Sequence, residues 1–368
     1  MENLVSMSFQ NIYKGKKVLV TGHTGFKGSW MAIWLKELGA EVFGYALEPY
    51  SKDDNFVRCN LSDEIHHRVG DVRNGAELKK YFAEVQPDIA FHLAAQPLVL
   101  LSYDDPVGTF DTNLMGVVHF FEAVRATPSV KVAVNITSDK CYDNKEWVWG
   151  YRENDAMGGK DPYSASKGCA ELITSSYLNS YFKDSTCVIA SGRAGNVIGG
   201  GDWAKDRILP DYYRAYKKGE KMLVRNPHAT RPWQHVLEPL SGYLALGAAL
   251  WQDGKKYSGG WNFGPEDSAN YSVKDLIDKI LLLDSKGGYT SPENANKPHE
   301  ATFLKLDISK AVNQLQWRPV LSFDETVAFT VTGYQDEIQH SSSILKERIQ
   351  QIKEYTTKAA IKNISWAL

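Results

Sequence analysis

Residues 17–30 read KVLVTGHTGFKGSW: a short apolar run ends in a turn with glycines at 22, 25 and 28, and an apolar helix-like segment follows. Val18, Leu19 and Val20, bounded by that turn signal, predict a buried strand. Beyond the glycines, Met31, Ile33, Trp34, Leu35 and Leu38 give a broad helical face, and Gly39 supplies a C-terminal stop. A strand that passes through glycines into a helix leaves the helix N-terminal N–H groups open to an anion, with no Cβ in the way. Three glycines in a turn also serve tight packing alone. The spacing G-x-x-G-x-x-G therefore gains its force from the strand before it and the helix after it.

The same alternation continues outward. EVFGYAL (41–47), PDIAFHLAA (87–95) and KVAVNITS (131–138) are strand-like, and VVHFFEAVRAT (117–127) is helical. After Asp161-Pro162 a helical run to Tyr181 precedes another strand, CVIASGRAGNVIG (187–199). Apolar strands separated by helices predict βαβ units, hence an α/β, doubly wound parallel sheet of the Rossmann type. Near residue 195 the texture changes to GGGDW (199–203), DYYRAYKKG (211–219) and HATRPWQHV (228–236). The expected organisation is a dinucleotide-binding domain over 1–194 and a smaller α+β substrate-binding domain over 195–340, with the chain free to cross back. The charged tail 341–368 reads as a terminal helix or a subunit contact without chemical content.

The 368 residues correspond to about two domains at ~150 residues each. Lys plus Arg total 42 and Asp plus Glu 44, a net charge of -2, which gives no global electrostatic reason to bind nucleic acid or an anionic membrane. Any phosphate recognition must be local. Hydrophobic residues at 43% and charged residues at 23% fit a soluble globular chain. Cys59, Cys141, Cys169 and Cys187 form no C-x-x-C or zinc pattern, so they predict reduced thiols and no metal site. MENLVSMSFQ lacks a basic start with an apolar core, and no apolar run approaches roughly 18 residues; a cytoplasmic protein without membrane spans is expected.

For a dinucleotide, the candidate contacts in the loop are Gly22, Thr24, Gly25, Phe26 and Gly28. An acid about 20 positions on often binds the adenosine ribose. Here the second strand ends in Gly44-Tyr45-Ala46-Leu47 with Glu48 just beyond, so the acid is displaced; the lack of a nearby arginine favours NAD over NADP without deciding it. Asp71-Val72 can set a carboxylate by an adenine amino group, although an Asp after Gly is as often a turn former. Leu93, Ala94 and Ala95 would let a flat cofactor pass the sheet edge, or are a packed strand end.

Tyr163 and Lys167 in DPYSASK share one helix face, so the ammonium can lie close to the phenol. A neighbouring cation and the nicotinamide charge would stabilise phenolate and lower a pKa of about 10 toward that of a working base. Ser138 ends the preceding strand and can hydrogen-bond the same substrate hydroxyl. The alternative is a surface pair and a strand-end serine.

Over about residues 15–335 these features resemble the extended short-chain dehydrogenase/reductase family. The resemblance implies NAD as cofactor, a nucleotide-sugar substrate and a homo-oligomer, dimer or tetramer. NLMGVVHFFEAV (113–124) is a candidate subunit contact, unless it packs on its own sheet. In the 4,6-dehydratase branch an Asp-Glu pair follows the serine or threonine; here Ser138 is followed by Asp139 and Lys140. With GHTGFKGSW, HLAAQPLV and RPWQHVLEPL, this departure is similar to the branch acting on CDP-glucose. The resemblance then implies oxidation at C4 with Tyr163 as base, loss of water with Asp139 as acid and Lys140 as the C5 base, and hydride return to C6. Asp139 and Lys140 could instead only orient. Asn196, Arg207, Arg231 and His299 match the family's substrate-binding positions, while Trp203 and Trp233 either shield the base or pack. A 4-epimerase or decarboxylase would share Tyr163 and Lys167 without needing Asp139 or Lys140, and an inactive dinucleotide-binding scaffold would need none of them.

Overall fold

The computed structural model describes residues 4–224, 226–266, 271–284, 287–291, 304–340 and 342–368. Six strands follow in chain order: β1 (Lys17–Thr21), β2 (Glu41–Ala46), β3 (His66–Val69), β4 (Ile89–His92), β5 (Val132–Ile136) and β6 (Val188–Ala194). With Gly259–Phe263 they make a seven-stranded sheet in the order Gly259–Phe263, β6, β5, β4, β1, β2, β3, and every pairing is parallel. The order reverses between β1 and β4, which opens a crevice at their carboxyl ends. Burial on both faces explains the continuous apolar character of β4, β5 and β6, all of whose residues are buried.

The glycine-loop helix, Phe26–Glu37, differs from the expected one-sided face: Gly28 through Leu35 are all buried. Its outer side is covered by two later elements, the helices Leu237–Asp253 and Leu345–Ile361. The stretch offered as a subunit contact packs at home, with Val117, Phe120, Phe121 and Val124 buried in the core on one face of the sheet.

The chain does cross back after residue 195. Gly259–Phe263 completes the sheet beside β6, and Leu237–Asp253 packs on β5 and β6. A separate core gathers Leu209, Tyr213, Leu276 and Tyr334 from the later helices with Ile198 and Trp233 from the segments between them and the sheet. Two-residue strands tie this part to the sheet edge: Gln234–His235 pairs with Val197–Ile198 in parallel, so the segment after Arg231 runs beside Asn196. Among the described residues no helix is long and apolar enough to cross a membrane.

Candidate active site

The carboxyl ends of the strands bring four segments together. After β1, Gly22 has φ +75, and a Cβ there would lie 2.6 Å from the Ala94 amide nitrogen, so only glycine lets this loop lie against Leu93-Ala94 after β4. A Cβ on Gly28 would fall 2.1 Å from the Gly22 carbonyl oxygen. Gly25 caps the helix without any side-chain acceptor, so the N–H groups of its first turn have no cap from the protein. Together these make a cradle shaped for an anion. Thr24 donates to the Leu47 carbonyl at 2.9 Å, and the Phe26 ring approaches Gly199 from the later segment.

Toward the β2–β3 side, Glu48 is exposed. Asp71 is held by Arg73, whose Nε donates to both carboxylate oxygens (3.0 and 2.8 Å) while Nη2 donates at 2.5 Å. These bonds hold the Asp71 carboxyl below its usual range. Val72 is buried in the core, and its carbonyl meets His119 Nδ1 at 3.0 Å. His23 of the glycine loop touches His67 (Nε2 to Nδ1, 2.6 Å), and burial pushes it down to about 3, so it is neutral.

At the end of β5 Ser138 caps a short turn over Asp139–Cys141: its hydroxyl donates to Asp139 Oδ1 (2.9 Å) and accepts from the Lys140 amide (3.3 Å). The same hydroxyl lies by the Tyr163 phenol. Asp139 is buried, and a Cβ on Gly195, after β6, would lie 2.8 Å from its Oδ2. Lys140 is partly exposed. Tyr163 and Lys167 sit in the first turns of the helix Pro162–Tyr177, started by the Asp161 cap to Ser164 N (2.9 Å) and by Pro162. One turn on, Glu171 accepts from Arg193 (2.7 Å), Ser191 (2.7 Å) and Thr137, which fastens the catalytic helix to β5 and β6 just behind Ser138.

The phenol is desolvated, which works against the lowering expected from a neighbouring cation and a nicotinamide charge. Burial drives Tyr163 up to about 12, with the Asp139 charge adding to the rise, while the Ser138 hydroxyl and Arg207 pull it back. Burial takes Lys167 down to about 8 against the pull of Glu171. The helical spacing places both residues in the first turns of one helix.

On the substrate side, Arg207 precedes the helix Ile208–Lys218 and donates to Asp202 Oδ2 at 2.8 Å; its charge reaches Tyr163. Asn196 is partly exposed, and its carbonyl accepts from Gln234 N (3.3 Å). Arg231, whose Nη1 donates to the Thr230 carbonyl (2.8 Å), lies one residue before Pro232, which packs toward Gly195. Both tryptophans pack: Trp203 Nε1 donates to Glu337 (2.6 Å) and Trp233 Nε1 to the Tyr271 carbonyl (3.1 Å). His299 lies outside the described residues.

Three participants escaped the sequence reading or entered it only as motif letters. Lys27 interacts electrostatically with Arg207, Asp139, Lys167 and Asp202, and burial lowers it to about 8. Asp202 holds Arg207. Asn113, buried, donates to the Gln96 carbonyl (3.0 Å) and to Ser166 Oγ (2.9 Å), and Ser166 donates to the Tyr163 carbonyl (2.7 Å). An asparagine heading an apolar helical stretch was the available signal for the last.

The comparisons with known proteins agree with this geometry. A family model described as GDP-mannose 4,6 dehydratase matches residues 19–330. A CDP-glucose 4,6-dehydratase of Salmonella typhimurium is 48% identical over 356 residues, 95% of this chain and 99% of the relative. Among solved structures, an epimerase from Methanothermobacter thermautotrophicus superposes with TM-score 0.76 at 23% identity, covering 94% of this chain and 98% of its own. A dTDP-glucose 4,6-dehydratase from Bacillus anthracis in complex with NAD gives TM-score 0.69 at 20% identity, covering 87% and 97%; both show the shared fold. A model match across most of the sheet and the later core, with near full-length identity to one dehydratase, establishes that the chain belongs to the GDP-mannose 4,6 dehydratase family.

Proposed function

We propose that this chain is an NAD-dependent CDP-glucose 4,6-dehydratase, a lyase that converts CDP-glucose to CDP-4-keto-6-deoxyglucose. The observation that carries the reading is Asp139: a buried carboxylate, hydrogen-bonded by Ser138, stands beside the Tyr163 phenol and against Gly195. A 4-epimerase has no water to remove and needs no acid there. The 48% identity to a CDP-glucose 4,6-dehydratase supports the choice of substrate.

The cradle fits a dinucleotide. Gly22, Gly25 and Gly28 clear the approach to an uncapped helix terminus, and we assign Thr24, Phe26, Asp71, Val72, Leu93, Ala94 and Ala95 as the further cofactor contacts. We assign Lys27 and Lys167 as the cations on its inner side. When bound, NAD supplies the hydride acceptor for C4 and the donor for C6, and it leaves the cycle unchanged.

The chain's own groups manage the protons. Tyr163 takes the proton of the C4 hydroxyl, and Ser138 orients that oxygen. Lys167 lies one helical turn on and adds positive charge to the pocket that must hold the phenolate. With a carbonyl at C4, the C5 proton is acidic; Lys140 removes it, and Asp139, as the carboxylic acid, gives a proton to the departing C6 hydroxyl, so one water is lost; as C6 is reduced Lys140 returns the proton to C5, and the proton taken up by Tyr163 makes up the one that Asp139 gave. Arg207 and Arg231 neutralise the substrate diphosphate, and Asn196 contacts the sugar. His299 completes this set in the sequence pattern. We further place the protein in the cytoplasm as a homo-oligomer.

Incubation with CDP-glucose and NAD, followed by the alkaline absorbance of 4-keto-6-deoxy sugars, tests the reading. Product without net NADH is expected. Hexose interconversion without loss of water would instead mean an epimerase, and faster turnover of dTDP-, GDP- or UDP-glucose would refute the base preference.

A further inference from the structure

The tail after residue 341 is tied into the loop that carries the substrate arginine. Arg348, in the helix Leu345–Ile361, is fully buried. Its Nε donates to Asn55 Oδ1 (2.9 Å), its Nη1 to the Gly333 carbonyl (3.2 Å) and its Nη2 to Glu337 Oε1. The guanidinium also lies over the Trp30 ring, 5.1 Å from the centroid. Asn55 in turn donates to Ser29 Oγ (2.9 Å) on the glycine-loop helix.

Residues 200–203 rest on this assembly one by one. A Cβ on Gly200 would lie 2.7 Å from Arg348 Nη1, so the loop backbone is pressed flat against the guanidinium. The Gly200 carbonyl accepts from Trp30 Nε1 (2.9 Å). Gly201, at φ +86, leaves no room for a Cβ beside Asn55. The Asp202 carbonyl accepts from the Tyr334 hydroxyl (2.6 Å), and Trp203 Nε1 donates to the second oxygen of Glu337 (2.6 Å). The Asp202 carboxylate then holds Arg207 at 2.8 Å. Burying an arginine and a glutamate together is a costly way to fill space, and apolar side chains would do it at less expense. What the ion pair adds is directionality, a fixed fork on one side and a carboxylate shared with the loop on the other.

We propose that Arg348 is a positioning residue for nucleotide-sugar binding: with Glu337 it fixes loop 200–203, and so sets the Asp202–Arg207 pair in the orientation that receives the substrate diphosphate. Substrate affinity thereby depends on the last segment of the chain. The proposal rests on the reading that Arg207 contacts the substrate.

Three variants of the full chain test it: Arg207→Lys, Arg348→Met and Trp203→Phe, the last removing the loop's hydrogen bond to Glu337 while keeping an aromatic ring beside Tyr334 and Lys217. KM and kcat for CDP-glucose are measured together with NAD affinity by tryptophan fluorescence quenching. Arg348→Met is expected to raise KM by about 10-fold, and Trp203→Phe by a smaller factor, with kcat and NAD affinity held. The double variant Trp203→Phe/Arg207→Lys should be little worse than Arg207→Lys alone, because both act through one contact. A structural role alone would lower the active fraction, hence apparent kcat, with KM unchanged. If Arg348→Met fails to fold, Trp203→Phe still decides. An unchanged KM in Trp203→Phe while Arg207→Lys raises it overturns the positioning role. An unchanged KM in Arg207→Lys removes the substrate assignment of Arg207, and this proposal with it.

Discussion

The turn proposed for catalysis and the loop proposed for substrate binding are held over different spans of sequence. Around Ser138 and Tyr163 the bonds that shape each turn are short in sequence, Ser138 to Asp139, Lys140 N to Ser138 and Ser166 to the Tyr163 carbonyl, and those that join the turns to the rest are of middle range, 22 residues from Arg193 to Glu171 and 53 from Asn113 to Ser166. Around Gly200–Trp203 they are long: Trp30 to Gly200 spans 170 residues, Tyr334 to Asp202 spans 132, and Arg348 to Asn55 spans 293. The first region is built by a strand end and a helix start, which the local chain dictates. The second exists only after three distant helices have met. Damage to the first should strike the chemical step, and damage to the second should strike binding.

The largest expected effect tests the first half of that contrast. Tyr163→Phe keeps the ring and its packing but removes the proton acceptor, so kcat should fall by roughly 10²- to 10⁴-fold, with no transient nicotinamide reduction in stopped-flow absorbance. Unaltered hydride transfer would end the assignment. Lys140→Ala sharpens the division of labour within the same turn. Incorporation of solvent deuterium at C5 should be lost together with turnover, whereas exchange at the native rate would place the base elsewhere.

A smaller effect is expected where the cofactor cradle meets the substrate side. Lys27→Ala should weaken NAD binding by about 10-fold, measured by fluorescence titration, and steepen its dependence on pH less than the native chain shows, since a group near pKa 8 has been removed. Intact NAD affinity would leave Lys27 to the substrate alone.

The smallest prediction concerns stability far from the chemistry. Glu238, buried in the helix Leu237–Asp253, accepts from Val320 N (3.0 Å), Leu321 N (2.7 Å) and the Tyr355 hydroxyl (2.8 Å), so it pins the last helices to the sheet-side helix. Burial nevertheless raises it to about 7. A carboxyl whose folded pKa lies above its unfolded value stabilises the fold below the unfolded pKa, and that stability is lost as pH rises through the folded one. Native Tm should therefore decline between about pH 5 and pH 8 through a contribution on the order of 1–3 kcal/mol, and Glu238→Gln should flatten the slope. An unchanged slope would show that the carboxyl stays ionised.

The glycine loop, the parallel sheet and the Tyr163/Lys167 pair were legible from spacing, because a strand–glycine–helix turn and an i, i+4 pair are local and have one geometry each. The glycine-loop helix was legible only in part: its burial all round depends on elements more than 200 residues later, which periodicity within the helix does not register. The phenol's pKa was legible only in part for a related reason. Proximity of a lysine follows from helical spacing, but desolvation depends on everything that covers the site.

Sequence alone thus determined the sheet type, the anion cradle at Gly22–Gly28, and which side chains stand at the strand ends. Tertiary structure alone decided that Gly259–Phe263 returns to the sheet, that Lys27 and Asp202 come together with Arg207, and that Arg348 reaches the loop 200–203. Hydrogen bonds between neighbours in the chain are fixed by backbone geometry as soon as the local structure forms. A guanidinium that spans 293 residues to reach its partner finds it only when the cores on both sides have packed.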